Sequence, residues 1–289
     1  MNPALDQFDN LKLTPVAFEK FARFITQELG IKMPPDKMSM LQARLQRRLR
    51  VLGMASIEQY QAHLFNSPKS VEELVDFIDI VTTNKTDFFR EPEHFNYLTN
   101  TALPELARLR RGVPGSHWPF KLWCAGCSSG EEPYTLAMTL SEYAASHPGF
   151  DFSLLATDIS TKVLNHATLG IYDDDRIGPI ALPLRKKYLL RSRDSQRGQV
   201  RIVPELRRKI SFHRLNFMDE TYPVRNQFEV IFFRNVMIYF SKETQETVIG
   251  KLCRNLLPGG YLFVGHSESL TGLNIPVHSV GLAIYRKPA

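Results

Sequence analysis

Glu131 and Glu132 follow a run of small residues, Cys124 to Gly130, which itself follows an apolar stretch through Phe120, Leu122 and Trp123. Small side chains let backbone approach a ligand, and the break from strand to helix is where an α/β sheet binds a nucleotide-like cofactor. Only Gly126 and Gly130 are glycines, so the pattern departs from G-x-G-x-x-G. The two glutamates also stand where a dinucleotide pyrophosphate would need backbone donors and no negative charge. Carboxylates there suit a cationic ligand. A tight strand-to-helix turn with no ligand is the alternative reading.

Further chemistry-bearing residues fall at the ends of apolar stretches. Asp158 closes a strand through Phe152, Leu154 and Leu155, where an acid can take both hydroxyls of a ribose or, with Ser160, cap the helix from Thr161 to Leu169. Asn216, after Leu215, offers a donor and an acceptor to an adenine edge. Phe228 to Phe233, apolar but for Glu229, reads as a strand ending in Arg234 and Asn235, with Tyr239 shortly after and Ser241 able to cap the next helix. Upstream, Val81 to Arg90 gathers Thr82, Thr83, Asn84, Thr86, Phe88, Phe89 and Arg90. This segment reads as a lid: Arg90 could clamp a carboxylate, and Phe88 or Phe89 could cover the site or pack in the core. Cys124 and Cys127 form a C-x-x-C, but no second pair at ligand spacing exists and His213 and His266 stand isolated. No metal site is expected.

The elements that must position these groups follow from periodicity. Leu136, Ala137, Leu140 and Tyr143 recur at helical spacing after Pro133, which a first helical turn tolerates. Residues 1–85 read as a small helical domain, with Phe18, Phe21, Phe24 and Ile25 on one stripe and Val71, Leu74, Val75, Ile78 and Ile80 on another. Residues 86–118, with Pro104, Pro114 and the basic run Arg108 to Arg111, read as a linker. Residues 119–289 alternate strands and helices, which predicts an α/β domain. Gln199 to Val203 and Lys209 to His213 read as two strands of an antiparallel insertion within about 170–213. No internal repeat or low-complexity tract is present.

The chain of 289 residues, 43% hydrophobic and 23% charged, suits a globular protein of about two domains. Met1 to Asn10 carries Asp6 and Asp9 and no apolar segment, and no later run approaches the ~18 apolar residues that span a bilayer. Three cysteines are too few for a disulfide scaffold, so a soluble cytoplasmic protein is expected. The net charge of +6 favours acidic partners or nucleic acid. Between Lys37 and Leu52 the residues Met38, Leu41, Leu45, Leu49 and Leu52 mark one helix face, and Arg44, Arg47, Arg48 and Arg50 crowd the rest. Such a helix could dock on an acidic rod, or could simply present a solvated face.

The ordered segments T-T-N-x-T-x-F-F-R, C-A-G-C-S-S-G-E-E-P-Y, A-T-D-I, L-N and F-x-R-N-V-M-I-Y-F, then Leu257 to Gly260 and Gly265 to Glu268, resemble the bacterial CheR-type chemotaxis receptor methyltransferases over nearly the whole chain. The resemblance implies a Rossmann-like domain that transfers a methyl group from S-adenosylmethionine to glutamates on the cytoplasmic helices of chemoreceptors. It maps Asn84, Thr86, Arg90, Glu132, Asp158, Asn216, Phe217, Arg234 and Asn235 to cofactor contacts, and Arg90 and Tyr239 to the methyl-transfer point. It also maps Arg44, Arg47, Arg48 and Arg50 to receptor docking. Some family members grip a receptor tether peptide through a glycine-rich turn; the matching Arg191 to Gly198 keeps only Gly198, so tether dependence is doubtful. No membrane insertion is expected. A nucleic-acid methyltransferase is disfavoured because Asn-Pro-Pro-Tyr and Pro-Cys are missing. A non-catalytic cofactor sensor is disfavoured by the intact Arg90, Asn235 and Tyr239.

Overall fold

The computed structural model describes residues 11–66, 70–109, 117–192, 194, 198–224 and 227–289. The expectations on Met1 to Asn10, on Arg110 and Arg111, and on most of the turn between Ser192 and Gly198 lie outside these residues. The chain forms two compact units: one runs to Thr83 and takes in Tyr239–Ser241, and the other comprises Asn84–Ile238 and Lys242–Ala289.

The first unit is built on helices α1 (Pro15–Leu29), α2 (Met38–Leu52), α3 (Ile57–Asn66) and α4 (Ser70–Val81). Thr14 caps α1 by accepting the Ala17 N–H at 3.2 Å, with Pro15 at the first helical position. Phe18, Phe21 and Ile25 of α1 and Leu41, Leu45 and Leu49 of α2 are buried at the expected spacing. The stripe expected on α4 is different. Val71 is 73% exposed, and the buried positions are Glu73, Phe77, Ile78 and Val81. A charged residue sits within this buried face because Arg48 and Tyr60 reach it, so apolar spacing alone picks a rotated face. In the same unit Ile31 bridges Phe240, and the Lys32 N–H donates to the Tyr239 carbonyl at 2.8 Å.

In the second unit, the stretch read as a linker carries α5 (Glu93–Tyr97), a π-helical turn (Leu98–Ala102) and α6 (Leu103–Leu109). Its Phe95, Leu98, Leu103 and Leu106 are buried in the main hydrophobic core. The central sheet comprises β1 (Trp118–Ala125), β2 (Phe150–Asp158), β6 (Ile210–Arg214), β7 (Phe228–Phe232), β8 (Leu256–Phe263), β9 (His278–Gly281) and β10 (Ile284–Arg286). Its order is β6-β2-β1-β7-β8-β10-β9. The first five strands run parallel, and β10 runs antiparallel to both of its neighbours, β8 and β9, so the C-terminal ends of the five parallel strands share one edge. The order reverses at β1, the switch point where an open α/β sheet binds ligands. Helices α7 (Glu131–Ser146) and α8 (Thr161–Leu169) follow β1 and β2.

The antiparallel insertion differs from its expected form. Gln199–Ile202 (β5) pairs with Ile171–Asp173 (β3) and Leu189–Arg191 (β4), whereas Ile210–Arg214 joins the main sheet parallel to β2. The helical turn Pro204–Arg207 separates the two strands expected to form the antiparallel insertion. β3 and β4 span three residues each, too short to carry a periodic signal. Phe88 is buried and meets Tyr172 edge-on at 5.0 Å, while Phe89 packs against Phe95, so both aromatics serve the core.

Candidate cofactor and active site

The turn after β1 folds back on β2. The Gly126 and Cys127 N–H groups donate to the Thr157 carbonyl at 2.7 and 2.9 Å. Gly126 has φ +81, and a Cβ there would stand 2.5 Å from the Val236 side chain, so both conformation and space require glycine. Gly130, at φ +100, lies against Tyr172 and Ala167 and opens α7. Asp158, buried at the end of β2, braces this turn. One carboxylate oxygen accepts the Ser128 N–H at 2.9 Å and the other the Ser160 N–H at 3.0 Å. Ser160 caps α8 by accepting the Val163 N–H. The Ser128 hydroxyl donates to the Asn84 carbonyl at 3.0 Å, tying the segment before Arg90 to the turn.

A buried guanidinium organises the other side. The Arg234 side chain is 1% exposed and donates to Glu132 at 2.8 Å, to Glu91 at 2.9 Å and to the Arg90 carbonyl at 2.6 Å. Glu91 also accepts the His266 backbone N–H at 3.1 Å and the Asn235 amide at 3.4 Å. Burial works to raise the Glu91 carboxyl, but the charge and hydrogen bond of Arg234 outweigh it and hold the group below the ordinary glutamate value. Phe89 and Glu91, on either side of Arg90, both have positive φ (53° and 56°), a conformation the surroundings must hold in place. Arg90 itself stays 36% exposed, donating to the Lys85 carbonyl at 3.2 Å.

His266 is not isolated. With His94 and Glu91 it forms a cluster whose ligand-type atoms lie within 4.8 Å of one another. Topology brings these residues together from opposite ends of the second unit, which sequence spacing cannot show. The Glu91 oxygen shared by the two imidazoles already accepts from Arg234, whose charge opposes a metal dication at that point. Burial, followed by the Arg234 charge, pushes His94 down to about 4, so it is neutral at physiological pH. Three buried nitrogens at this hub, Arg234 Nε, His94 Nδ1 and His266 Nε2, have no hydrogen-bond partner among the described residues. Cys124 and Cys127 are buried thiols pushed well above their ordinary value, first by burial, and Cys124 donates to Glu132 at 3.2 Å.

The second unit therefore brings Asn84, Thr86, Arg90, Glu132, Asp158, Asn216, Phe217, Arg234 and Asn235 together around the C-terminal strand ends and the segment before α5. Asn84, Thr86, Arg90, Asn216 and Asn235 are half-buried, while Asp158, Phe217 and Arg234 are buried. The Asn216 side chain accepts the Met218 N–H at 3.0 Å, fixing its direction. Amide, acid, carboxylate and guanidinium form a donor set that matches an adenine, a ribose, an ammonium and a carboxylate. Such a set suits a zwitterionic nucleoside ligand. Glu91 is the member that sequence reasoning missed; its one signal was adjacency to Arg90.

The arginine-rich helix lies in the first unit and divides in two. Arg44 donates to the Val81 carbonyl, to the Thr82 carbonyl at 3.0 Å and to the Thr83 hydroxyl at 3.0 Å, closing the end of α4. Arg48 forms a double hydrogen bond with Glu73 at 2.9 and 2.6 Å and contacts Asp76. Arg47 and Arg50 are exposed. Tyr239 is half-buried and belongs to this same unit.

The family model described as the CheR methyltransferase SAM-binding domain matches residues 84–285, and that of the CheR methyltransferase all-alpha domain matches residues 17–78. The chain is 37% identical to a chemotaxis protein methyltransferase of Borreliella burgdorferi, covering 99% of this chain and 100% of that one. It is 36% identical to chemotaxis protein methyltransferase 2 of Pseudomonas aeruginosa, over 93% and 91% of the two chains. Against the Escherichia coli chemotaxis protein methyltransferase the identity is 35%, over 97% and 94%. Among the described residues no helix is long and apolar enough to cross a membrane.

Proposed function

Because this chain belongs to the CheR methyltransferase family and is an S-adenosylmethionine-dependent enzyme, we propose that it forms methyl esters on glutamate side chains of chemoreceptor cytoplasmic helices. The observation that supports this reading is the set of polar groups at the strand ends, with the carboxylates Glu132 and Asp158 beside the glycine turn and a guanidinium left half-exposed at Arg90.

S-adenosylmethionine would supply an electrophilic methyl group on a sulfonium, the S–CH3 bond breaking as the ester O–CH3 bond forms, with S-adenosylhomocysteine as the leaving product. A glutamate acceptor of pKa ~4.3 is already ionised at neutral pH, so no general base is needed. The protein's contribution is then alignment, worth up to ~7–11 kcal/mol, and removal of water from the attacking carboxylate. Asp158 would hold the ribose, Asn216 the adenine edge beside Phe217, and Glu132 the ammonium. Asn84, Thr86, Arg234 and Asn235 would complete the cofactor site. Glu132 shares its charge with Arg234, so the pair presents a fixed carboxylate and not a mobile one. Arg90 would orient a carboxylate and Tyr239 would hydrogen-bond near the transferring methyl. Receptor helices rich in acidic residues would meet Arg47 and Arg50, the exposed members of the α2 arginines.

Incubation with labelled S-adenosylmethionine and receptor-bearing membranes is expected to give a base-labile methyl ester on receptor-sized bands. Base-stable label, or label in nucleic acid, would reject the proposal. Tyr239→Phe is expected to lower turnover about a hundredfold at saturating cofactor; unchanged turnover removes the tyrosine from the mechanism. An isolated receptor C-terminal peptide is expected not to bind measurably in calorimetry, and a saturable isotherm would establish a tether.

A further inference from the structure

Gly265 and Glu268 belong to a segment with no role in the chemistry above, yet they shape the turn after β7. The Glu268 carboxylate, 6% exposed, accepts the backbone N–H groups of Asn235 at 2.8 Å, Gly265 at 2.7 Å and Ile238 at 3.3 Å, and that of Met237. An anion is thus seated in a nest of four N–H groups, three of them from the segment between Arg234 and Tyr239. Asn235 has φ +59, a left-handed conformation held by these bonds. Its side chain fills the space beside Gly265, where a Cβ would stand 2.3 Å from Asn235 Nδ2. Gly265 itself has no positive φ, so the requirement there is for room and not for conformation. Held this way, the Asn235 amide donates toward Glu91 at 3.4 Å, on the carboxylate that also receives Arg234.

We propose that Glu268 is a positioning residue for methyl transfer: it fixes the turn from Asn235 to Ile238 and so the direction of the Asn235 amide, without touching cofactor or acceptor. The proposal rests on the methyl-transfer reading of this site. Gly265 makes the room and Glu268 supplies the charge, so the two act as one mould for the strand-end turn. A buried carboxylate is suited to this task because both of its oxygens accept, whereas a carboxamide would turn a donor toward some of the same N–H groups.

The test uses the full chain with Glu268→Gln, Gly265→Ala, Asn235→Ala and the Glu268→Gln/Asn235→Ala double variant. Glu268→Gln is expected to speed amide hydrogen exchange at residues 235, 237 and 238. It should lower kcat by about a hundredfold while KM for S-adenosylmethionine changes less than about threefold, the pattern of misplaced reacting groups. The double variant should be no slower than the slower single one, because both changes act through one amide. Gly265→Ala keeps the carboxylate but displaces Asn235, and it should reproduce the kcat loss; it decides the matter if Glu268→Gln does not fold. Wild-type kcat and exchange in Glu268→Gln, or losses that multiply in the double variant, would overturn the proposal. A wild-type protein that transfers no methyl group would overturn the reading of the site instead, and the exchange rates would still decide whether Glu268 fixes the turn.

Discussion

Arg234→Met is expected to destabilise the α/β unit by about 3–5 kcal/mol in the absence of any ligand. Arg234 is enclosed, and it stands between Glu91 and Glu132, whose side chains are only 13% and 14% exposed. Removing it leaves two poorly solvated carboxylates without their countercharge, which costs far more than a lost surface pair. The pH dependence should change sign as well. In the wild type the Glu91 carboxyl lies below its ordinary value, so its contribution is present above about pH 4.3 and is lost as pH falls through the lowered value. Without Arg234, burial is opposed only by the His266 N–H and the Asn235 amide and should raise the Glu91 carboxyl, so the variant should regain stability on acidification. Arg234→Lys should fall between, since one ammonium cannot reproduce the fork that reaches both acids. Urea denaturation between pH 4 and 8 would measure this. A variant that unfolds like wild type and merely loses cofactor-induced stabilisation would make Arg234 a ligand contact and no more.

The second large effect is expected in the helical unit. Arg48→Met should lower its stability by about 3 kcal/mol, because Glu73, 5% exposed, would keep only the Tyr60 hydroxyl at 2.7 Å. Arg47→Ala and Arg50→Ala should leave the fold intact and reduce receptor methylation, with a loss that shrinks as salt rises. Burial works to raise Glu73, but the hydrogen bonds of Arg48 and Tyr60 outweigh it and hold the carboxyl below its ordinary value. The wild-type unit should therefore weaken as pH falls below about 4.3 toward that lowered value. Differential scanning calorimetry across this range checks the direction. Equal melting of the Arg47, Arg48 and Arg50 variants would mean that the ion pair with Glu73 contributes nothing.

What the sequence made legible was local. The strand–turn–helix around Gly126 and Gly130 could be read because apolar runs, glycines and a first-turn proline lie within one short stretch. Asp158 could be read because it ends a strand, although its work in bracing the turn appears only when β1 and β2 are paired. Glu73, Glu91, His94 and Glu268 could not be read. Each is a polar residue whose meaning lies in a partner supplied by another element: Arg48 for Glu73, Arg234 for Glu91, His266 for His94 and the Asn235 turn for Glu268. Charge on an apolar stripe weakens a periodic signal, so apolar spacing on α4 picks out Val71, Leu74 and Val75 in place of the buried Glu73 and Phe77. The arginines of α2 looked alike in sequence, and only packing separates Arg44 and Arg48 from Arg47 and Arg50.

Tyr239–Ser241 folds with the helical unit although the chain around it, Ile238 and Lys242, folds with the other. The Lys32 N–H and the Ile31 bridge are its backbone partners there. No single cut of the polypeptide therefore yields both units whole: a fragment ending at Thr83 lacks Tyr239–Ser241, and one beginning at Asn84 carries Tyr239 and Phe240 without the Lys32 and Ile31 backbone they meet. Exchanging the helical unit for a foreign one would therefore have to carry Tyr239–Ser241 with it.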